Sequence, residues 1–231
     1  NVSSRMMIYR DVSARLRHIA GFVEWDADPY LTVTENGRLV WIVDGYTVSD
    51  VHPFSAPILV NRFRTRRINY IRNSIKATVD AYDGTTTLYV FDDRDPIVAA
   101  YRSLFPTLFR DSAEMPADIR AHTRYPLDLF DIQAELYRTF NMRDPDVFYN
   151  KEDVWEVARS LTGSDGRAER MSPTYIVATL PGESDPEFIL MLPFTPRGKD
   201  NLIGWMAARC DGERLGEKLF FQLSKQQLVF G

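Results

Sequence analysis

Ser74-Ile75-Lys76-Ala77-Thr78-Val79-Asp80-Ala81-Tyr82-Asp83-Gly84-Thr85-Thr86-Thr87-Leu88-Tyr89-Val90 is the stretch on which the fold turns. Ile68, Ile71, Ile75 and Val79 recur at the three- and four-residue spacing of a helix, whereas Ile75, Ala77, Val79 and Ala81 alternate as in a strand. Asp83-Gly84 decides for the strand, because this dipeptide is a strong hairpin-turn signal. Pairing Tyr82 with Thr85 sets Val79 opposite Leu88 and Ala77 opposite Val90. The other face then carries Lys76, Thr78, Asp80 and Tyr82 against Thr85, Thr87, Tyr89 and Phe91. One dry face and one mixed face describe an antiparallel pair with a half-covered side.

Upstream lies a second hairpin. Tyr30–Thr34 and Arg38–Tyr46 are rich in β-branched and aromatic residues, and Glu35-Asn36-Gly37 supplies the turn. Leu39, Trp41 and Val43 alternate with Val40 and Ile42, so both faces are apolar and the strand is expected at the centre of a sheet. Before it, Ile8, Val12, Leu16, Ile19 and Val23 form the stripe of an amphipathic helix. The segment Thr47–Leu59, with Pro53 and Pro57, reads as an irregular loop.

Downstream, Pro96 suits the first turn of a helix lined by Val98, Tyr101, Leu104 and Phe105. Met115–His122 reads as a short helix, and a longer one is expected from Pro126 with Phe130, Gln133, Tyr137 and Phe140 on one side. Asn150 reads as the cap of a further helix holding Asp153, Val154, Trp155, Val157 and Ala158. Leu161–Ser172 is rich in glycine and charge and reads as a loop or linker. Thr174–Leu180, Phe188–Leu192, Ile203–Arg209 and Lys218–Leu223 read as strands. The expected class is α+β: antiparallel sheets with packed helices. It comprises an α+β region over 1–160, the loop or linker over 161–172, and a β-rich region over 173–231 that either stands alone or belongs to the same domain.

The 231 residues are 45% apolar and 26% charged, which is a globular balance able to bury a core without staples. Twenty-eight basic and 32 acidic side chains give a formal charge of −4, which argues against a nucleic-acid partner needing a basic face. The single cysteine, Cys210, follows an apolar run and reads as a small core residue. No run approaches the roughly 20 apolar residues that span a bilayer.

Several blocks together resemble a known family. They are Arg38–Thr47, Asn69–Gly84, Arg124-Tyr125-Pro126 with Asp128-Leu129-Phe130, Asp144-Pro145 with Phe148-Tyr149 and Asp153-Val154-Trp155, and Pro193–Leu202. In order and extent they are similar to the uncharacterised protein family UPF0182. The resemblance implies a piece of the large soluble part that follows a multi-helix membrane region, residence at the plasma membrane, and an extracytoplasmic position. It implies no activity.

The residues themselves point to no reaction. His18, His52 and His122 have no ligand spacing, so neither a metal nor a cofactor is expected. Asp80 with Asp83, and Asp92 with Asp93 and Asp95, read as turn and cap residues rather than calcium ligands. Neither a serine elbow nor a glycine-rich phosphate loop is present. The most unusual local feature is the basic run Arg62, Arg64, Arg66 and Arg67 with Arg72, whose guanidinium forks suit anionic head groups. The plainer reading is a solvated loop paired to nearby acids. Tyr70, Asn73 and Asp80 concentrate polarity in an apolar frame, and Arg197, Lys199 and Asn201 form a second polar group. The alternative there is a buried network that fixes register. The leading expectation is a non-catalytic module that binds an anionic head group, a glycan or a protein partner, tied to the membrane through segments outside this sequence. An envelope hydrolase and an oligomerisation scaffold are the competing readings.

Overall fold

The structure, a computed structural model, describes residues 6–63, 67–142, 144–150, 154–160, 168–199, 201–224 and 229–230. The chain divides into two compact units, residues 1–129 and 130–231.

In the first unit, helix α1 (Val12–Ile19) is followed by strands β1 (Glu24–Trp25), β2 (Tyr30–Val33), β3 (Leu39–Ser49), β4 (Ile58–Leu59), β5 (Arg67–Ile68), β6 (Tyr70–Asp80) and β7 (Thr86–Val90). Helix α2 (Pro96–Leu104), β8 (Phe109–Asp111), a 3-10 turn (Ser112–Glu114), α3 (Ala117–Arg120) and the start of α4 (Leu127–Phe140) complete it. The main sheet runs β1-β3-β6-β7-β8, with β2 also on β3. Its pairs are antiparallel except β7 with β8. That parallel pair is a departure from the expected antiparallel sheet, made possible by α2 as the crossover.

The strand reading of 74–90 holds, but its register is different. Ala77 pairs Leu88 and Val79 pairs Thr86, two residues from the expected pairing. Asp80 is the cause: its carboxylate accepts from the Tyr82 and Asp83 amides at 2.8 and 3.1 Å. The chain therefore loops over Ala81–Gly84 before Asp80 N bonds Thr85 O at 2.9 Å. Gly84 ends the loop at φ +73°. A slip of two keeps every side chain on its expected face.

Both faces of β3 are covered, as its sequence implies. On one, Val43, Ile75, Ala77, Val79, Leu88 and Val90 pack with Leu16, Ala20 and Val23 of the α1 region and with Val98 of α2. The α1 helix is shorter than its stripe: Asp11 caps it, accepting from Ala14 N at 2.6 Å, and Ile8 and Ile19 lie exposed. On the second face, Val40, Ile42 and Tyr89 pack with Met115 and Ile119.

The second unit holds the rest of α4, helix α5 (Pro145–Asn150), and strands β9 (Trp155–Val157), β10 (Arg159–Ser160), β11 (Glu169–Arg170), β12 (Thr174–Thr179), β13 (Pro186–Pro196), β14 (Asn201–Leu202), β15 (Gly204–Arg209), β16 (Lys218–Gln222) and β17 (Val229–Phe230). The antiparallel sheet runs β12-β13-β15-β16, with β9 added to β13. Leu180, Ile189 and Ala207 anchor one core. Tyr137, Trp155, Phe194 and Phe220 form an aromatic cluster.

Asn150 ends a helix rather than starting one. Asp144 caps α5, its carboxylate accepting from the Asp146 and Val147 amides at 2.9 and 3.2 Å, and Pro145 fills the first position. Trp155 and Val157 are buried on either side of half-buried Glu156, the alternation of a strand, and pair with Pro196 and Phe194. Asp153 lies outside the described residues, as do 161–167 of the expected linker. Glu169 and Arg170, within that linker, pair with β10 instead.

Candidate functional site

The second face of the first unit's sheet changes from apolar to polar along β3. Beyond Val40 and Ile42 come Asp44 and Tyr46, and opposite Asp44 on β6 stands Lys76. All three are buried. Lys76 Nζ donates to Asp44 Oδ1, and also to Asn73 Oδ1 and the Arg124 carbonyl, both at 3.3 Å. Three partners around one ammonium offset its loss of water.

Two further carboxylates meet beside this pair. Asp26 accepts from the Tyr46 hydroxyl, from Asp28 N at 2.8 Å and from Asp128 N at 3.2 Å. Asp128 accepts from Ala27 N at 3.1 Å and from Arg62 at 2.6 Å. Burial, the Asp128 charge and the Asp44 charge push the Asp26 carboxyl up to about 6, against the opposing hydrogen bond from Tyr46. Burial and the Asp26 charge drive the Tyr46 hydroxyl well above its ordinary value.

A second node is Asp95, the cap of α2. It accepts from Ser74 and Thr47 hydroxyls, from Tyr70 at 2.8 Å and from Ile97 N at 3.0 Å. Its burial alone would raise the carboxyl, but these donors hold it below the usual range. The same bond, added to desolvation, pushes Tyr70 up to about 12. Arg72 pairs with Asp92 at 2.6 Å.

The surface beside this node is built differently. Asn69 donates from Nδ2 to the carbonyls of His52 and Ser55 at 2.7 and 3.2 Å and accepts from His52 N at 3.0 Å. Ser55 Oγ donates back to the Asn69 carbonyl at 2.9 Å. The loop so fastened exposes Val51 and Phe54, the latter at φ +58° and 109% exposed. Just beyond, Ile58 pairs Ile68 and Leu59 pairs Arg67. Directly opposed residues share a face. Buried Ile68 therefore marks the inner side, and Leu59, 79% exposed, stands outward beside Arg67.

Arg62, Arg67, Tyr70, Arg72 and Asn73 all lie in the first unit: Arg62 bonds Asp128, Tyr70 bonds Asp95, Arg72 bonds Asp92, Asn73 bonds the Gly45 carbonyl, and Arg67 pairs through its backbone with Leu59. Asp80 belongs to the hairpin end, where it bonds Arg38 at 2.6 Å. Arg64 and Arg66 lie outside the described residues. Arg197, Lys199 and Asn201 belong to the second unit, at the turn closing β13 onto β14. There Lys199 N bonds Pro196 O at 3.1 Å and Arg197 lies 3.9 Å from Glu156. Asp26, Asp44 and Asp128 were not singled out from sequence. Asp26 and Asp128 are 102 positions apart, so no local spacing announces them. Among the described residues no group of three or more His, Cys, Asp or Glu is arranged to hold a metal ion. Among them, too, no helix is long and apolar enough to cross a membrane.

An α+β chain with saturated buried carboxylates and an apolar loop held outward is a class with no reaction written on it. The chain belongs to the uncharacterised protein family UPF0182, whose model matches residues 1–231. It is 60% identical over 229 residues to a UPF0182 protein of Solibacter usitatus, covering 99% of this chain and 25% of that one. It is 46% identical over 228 residues to one from Methanospirillum hungatei, with the same coverage of each chain. A relative from Trichodesmium erythraeum is 41% identical over 242 residues, covering 99% of this chain and 26% of its own. The chain therefore spans about a quarter of the length of these relatives. No solved structure matches.

Proposed function

We propose that this region is a non-catalytic binding module of a membrane protein, positioned on the extracytoplasmic side as the family resemblance implies, and that the 51–59 loop, with Arg67 opposite Leu59, is its contact surface. The observation that supports this most is the fastening of the Phe54 loop by Asn69. Exposing three large apolar side chains within nine residues is unfavourable for a free surface. Holding Phe54 at a positive φ adds a further cost of about 1 kcal/mol or more. Both are understandable where the loop meets something.

The hydrolase reading has one feature in its favour, the raised Asp26 carboxyl. Asp26 is only 4% exposed, and its oxygens are taken by Tyr46, Asp28 and Asp128. It braces the fold and presents nothing to a substrate.

A photoreactive residue at position 54 of the full-length protein, activated in its own cells, tests the contact surface. Adducts at 54, with none at the control position Tyr149, also an exposed aromatic, are expected. Equal labelling at both positions, or none at 54, sinks the reading.

A further inference from the structure

We infer that Asp26 and Asp128 form a proton-operated latch: it fastens the start of α4 to the turn after β1 while Asp26 carries its proton, and it opens locally as that proton leaves. The latch involves none of the 51–59 loop. Its geometry is reciprocal. Asp26 Oδ2 accepts from the Asp128 amide at 3.2 Å, and Asp128 Oδ2 accepts from the Ala27 amide at 3.1 Å. Each carboxylate thus binds the backbone of the segment that carries the other. Both residues are buried, at 4% and 2% exposed, and two carboxylates in one dry site resist ionising together. Nearer the solvent, Arg124 bonds Asp28 at 2.6 Å and lies over the Tyr30 ring at 4.0 Å, a contact that water weakens.

The cations around the latch decide which member takes the proton. The groups facing Asp26 are Glu24 and Asp28 of its own run, Asp44 and Tyr46 of β3, Lys76 of β6, Asp128 of α4, and Arg62 and Arg124. Lys76 pairs with Asp44, Arg62 with Asp128 and Arg124 with Asp28. Asp128 also stands in the first turn of α4, where the helix favours negative charge. Asp26 has hydrogen bonds from Tyr46, Asp28 and Asp128 instead. Burial, and next the Asp128 charge, raise its carboxyl to about 6 from an ordinary 3.8. The closed latch therefore holds the proton more tightly than the open one, in which Asp26 regains water. Closure is strongest below about pH 4 and weakens as pH rises through about 6. Since α4 continues past residue 129 into the second unit, the proton acts on the helix through which the chain passes from one unit to the next.

The test is amide hydrogen exchange of the chain across pH, corrected for the intrinsic pH dependence of exchange. Protection of the Ala27 and Asp128 amides is expected to fall on the order of a hundredfold between about pH 4 and about pH 6, and to level off above. At every pH it should stay below that of Ile75, because the latch opens without unfolding the sheet. Asp26→Asn, which keeps a neutral side chain in place at all pH values, should abolish the fall. Asp128→Asn removes the facing charge, so the fall should level off at a lower pH. Protection of the two amides that does not change with pH overturns the latch, as does an undiminished fall in Asp26→Asn. Protection equal to that of Ile75 throughout also overturns it, because the segments then part only when the whole unit unfolds. Should Asp26→Asn not fold, Asp128→Asn decides: a fall that levels off where the native one does overturns the latch.

Discussion

Asn69 holds the backbone of His52 from both sides, its Oδ1 accepting from the His52 amide at 3.0 Å and its Nδ2 donating to the His52 carbonyl at 2.7 Å. The amide side chain thus acts as a one-residue strand partner, fixing a loop that has no ladder of its own.

Asn69→Ala removes these bonds and the one to Ser55. Each contributes about 0.5–1.5 kcal/mol, and solvent competes for all of them. The expected global loss is therefore only about 1–2 kcal/mol. Local release is larger: amide hydrogen exchange at His52 should accelerate while Ile75 in the core stays protected. Unchanged protection at His52 would contradict the clamp.

Lys76→Met strands the Asp44 carboxylate in the core, since both side chains are 4% exposed. A broken buried pair costs about 3–5 kcal/mol. Adding Asp44→Leu removes the orphaned charge, so the double variant should lose less than the sum of the two singles. Urea midpoints over the double-mutant cycle measure this. A single-variant loss under about 1 kcal/mol would show that Asp44 finds water or another cation.

Much of this arrangement was legible in the sequence, and the errors have local causes. The Thr34–Arg38 turn was readable because Gly37 at φ +80° does what Asn-Gly turns demand. The 74–90 hairpin slipped by two because the Asp80 side chain competes for the turn amides, which the Asp-Gly rule ignores. Trp155–Val157 was misread because Asn150 suits either helix end, and Asp144 had already opened the helix there. The buried polar network showed only its β6 side, because β3 reads as an apolar central strand in which Asp44 does not stand out. Its other carboxylates arrive from the turn after β1 and the start of α4, and nothing in periodicity links those segments. The apolar tip was read as an irregular proline loop, because exposure of a phenylalanine is settled by what packs elsewhere.

In the second unit, Arg209 donates from Nη2 to Glu183 at 2.6 Å and from Nη1 to Glu187, while Glu217 lies 2.9 Å from its Nε without hydrogen-bond alignment. Arg214 also spans Glu183 and Glu187, at 2.9 and 3.2 Å, but from a half-exposed position. A guanidinium fork is needed to donate to two separate acids while standing beside a third. Arg209→Lys should therefore cost about 1.5–3 kcal/mol, and Arg214→Ala, at an exposed position, clearly less. Equal losses in thermal unfolding would mean that the acids, not the fork, set the geometry.

Asp26 makes stability depend on pH in an unusual direction. Its carboxyl is raised by burial first and by Asp128 next, to about 6 from an ordinary 3.8. The folded state thus holds this proton more tightly than the unfolded chain. Its contribution is fully present below about pH 4 and is lost as pH rises through about 6, a change of about 3 kcal/mol by proton linkage. The groups around it are Asp128 with its partner Arg62, Asp44 with its partner Lys76, and the Tyr46 hydroxyl. Asp95 works oppositely: held below the usual range, it stabilises above the ordinary carboxylate value and is lost as acid protonates it. Asp26→Asn should flatten the fall in urea midpoint between pH 4.5 and 7 without touching the acid limb below it. Tyr46→Phe removes a bond that favours the ionised carboxylate, so it should make that fall larger overall and extend it to higher pH. Identical slopes in the native chain and Asp26→Asn would place the titration on another group.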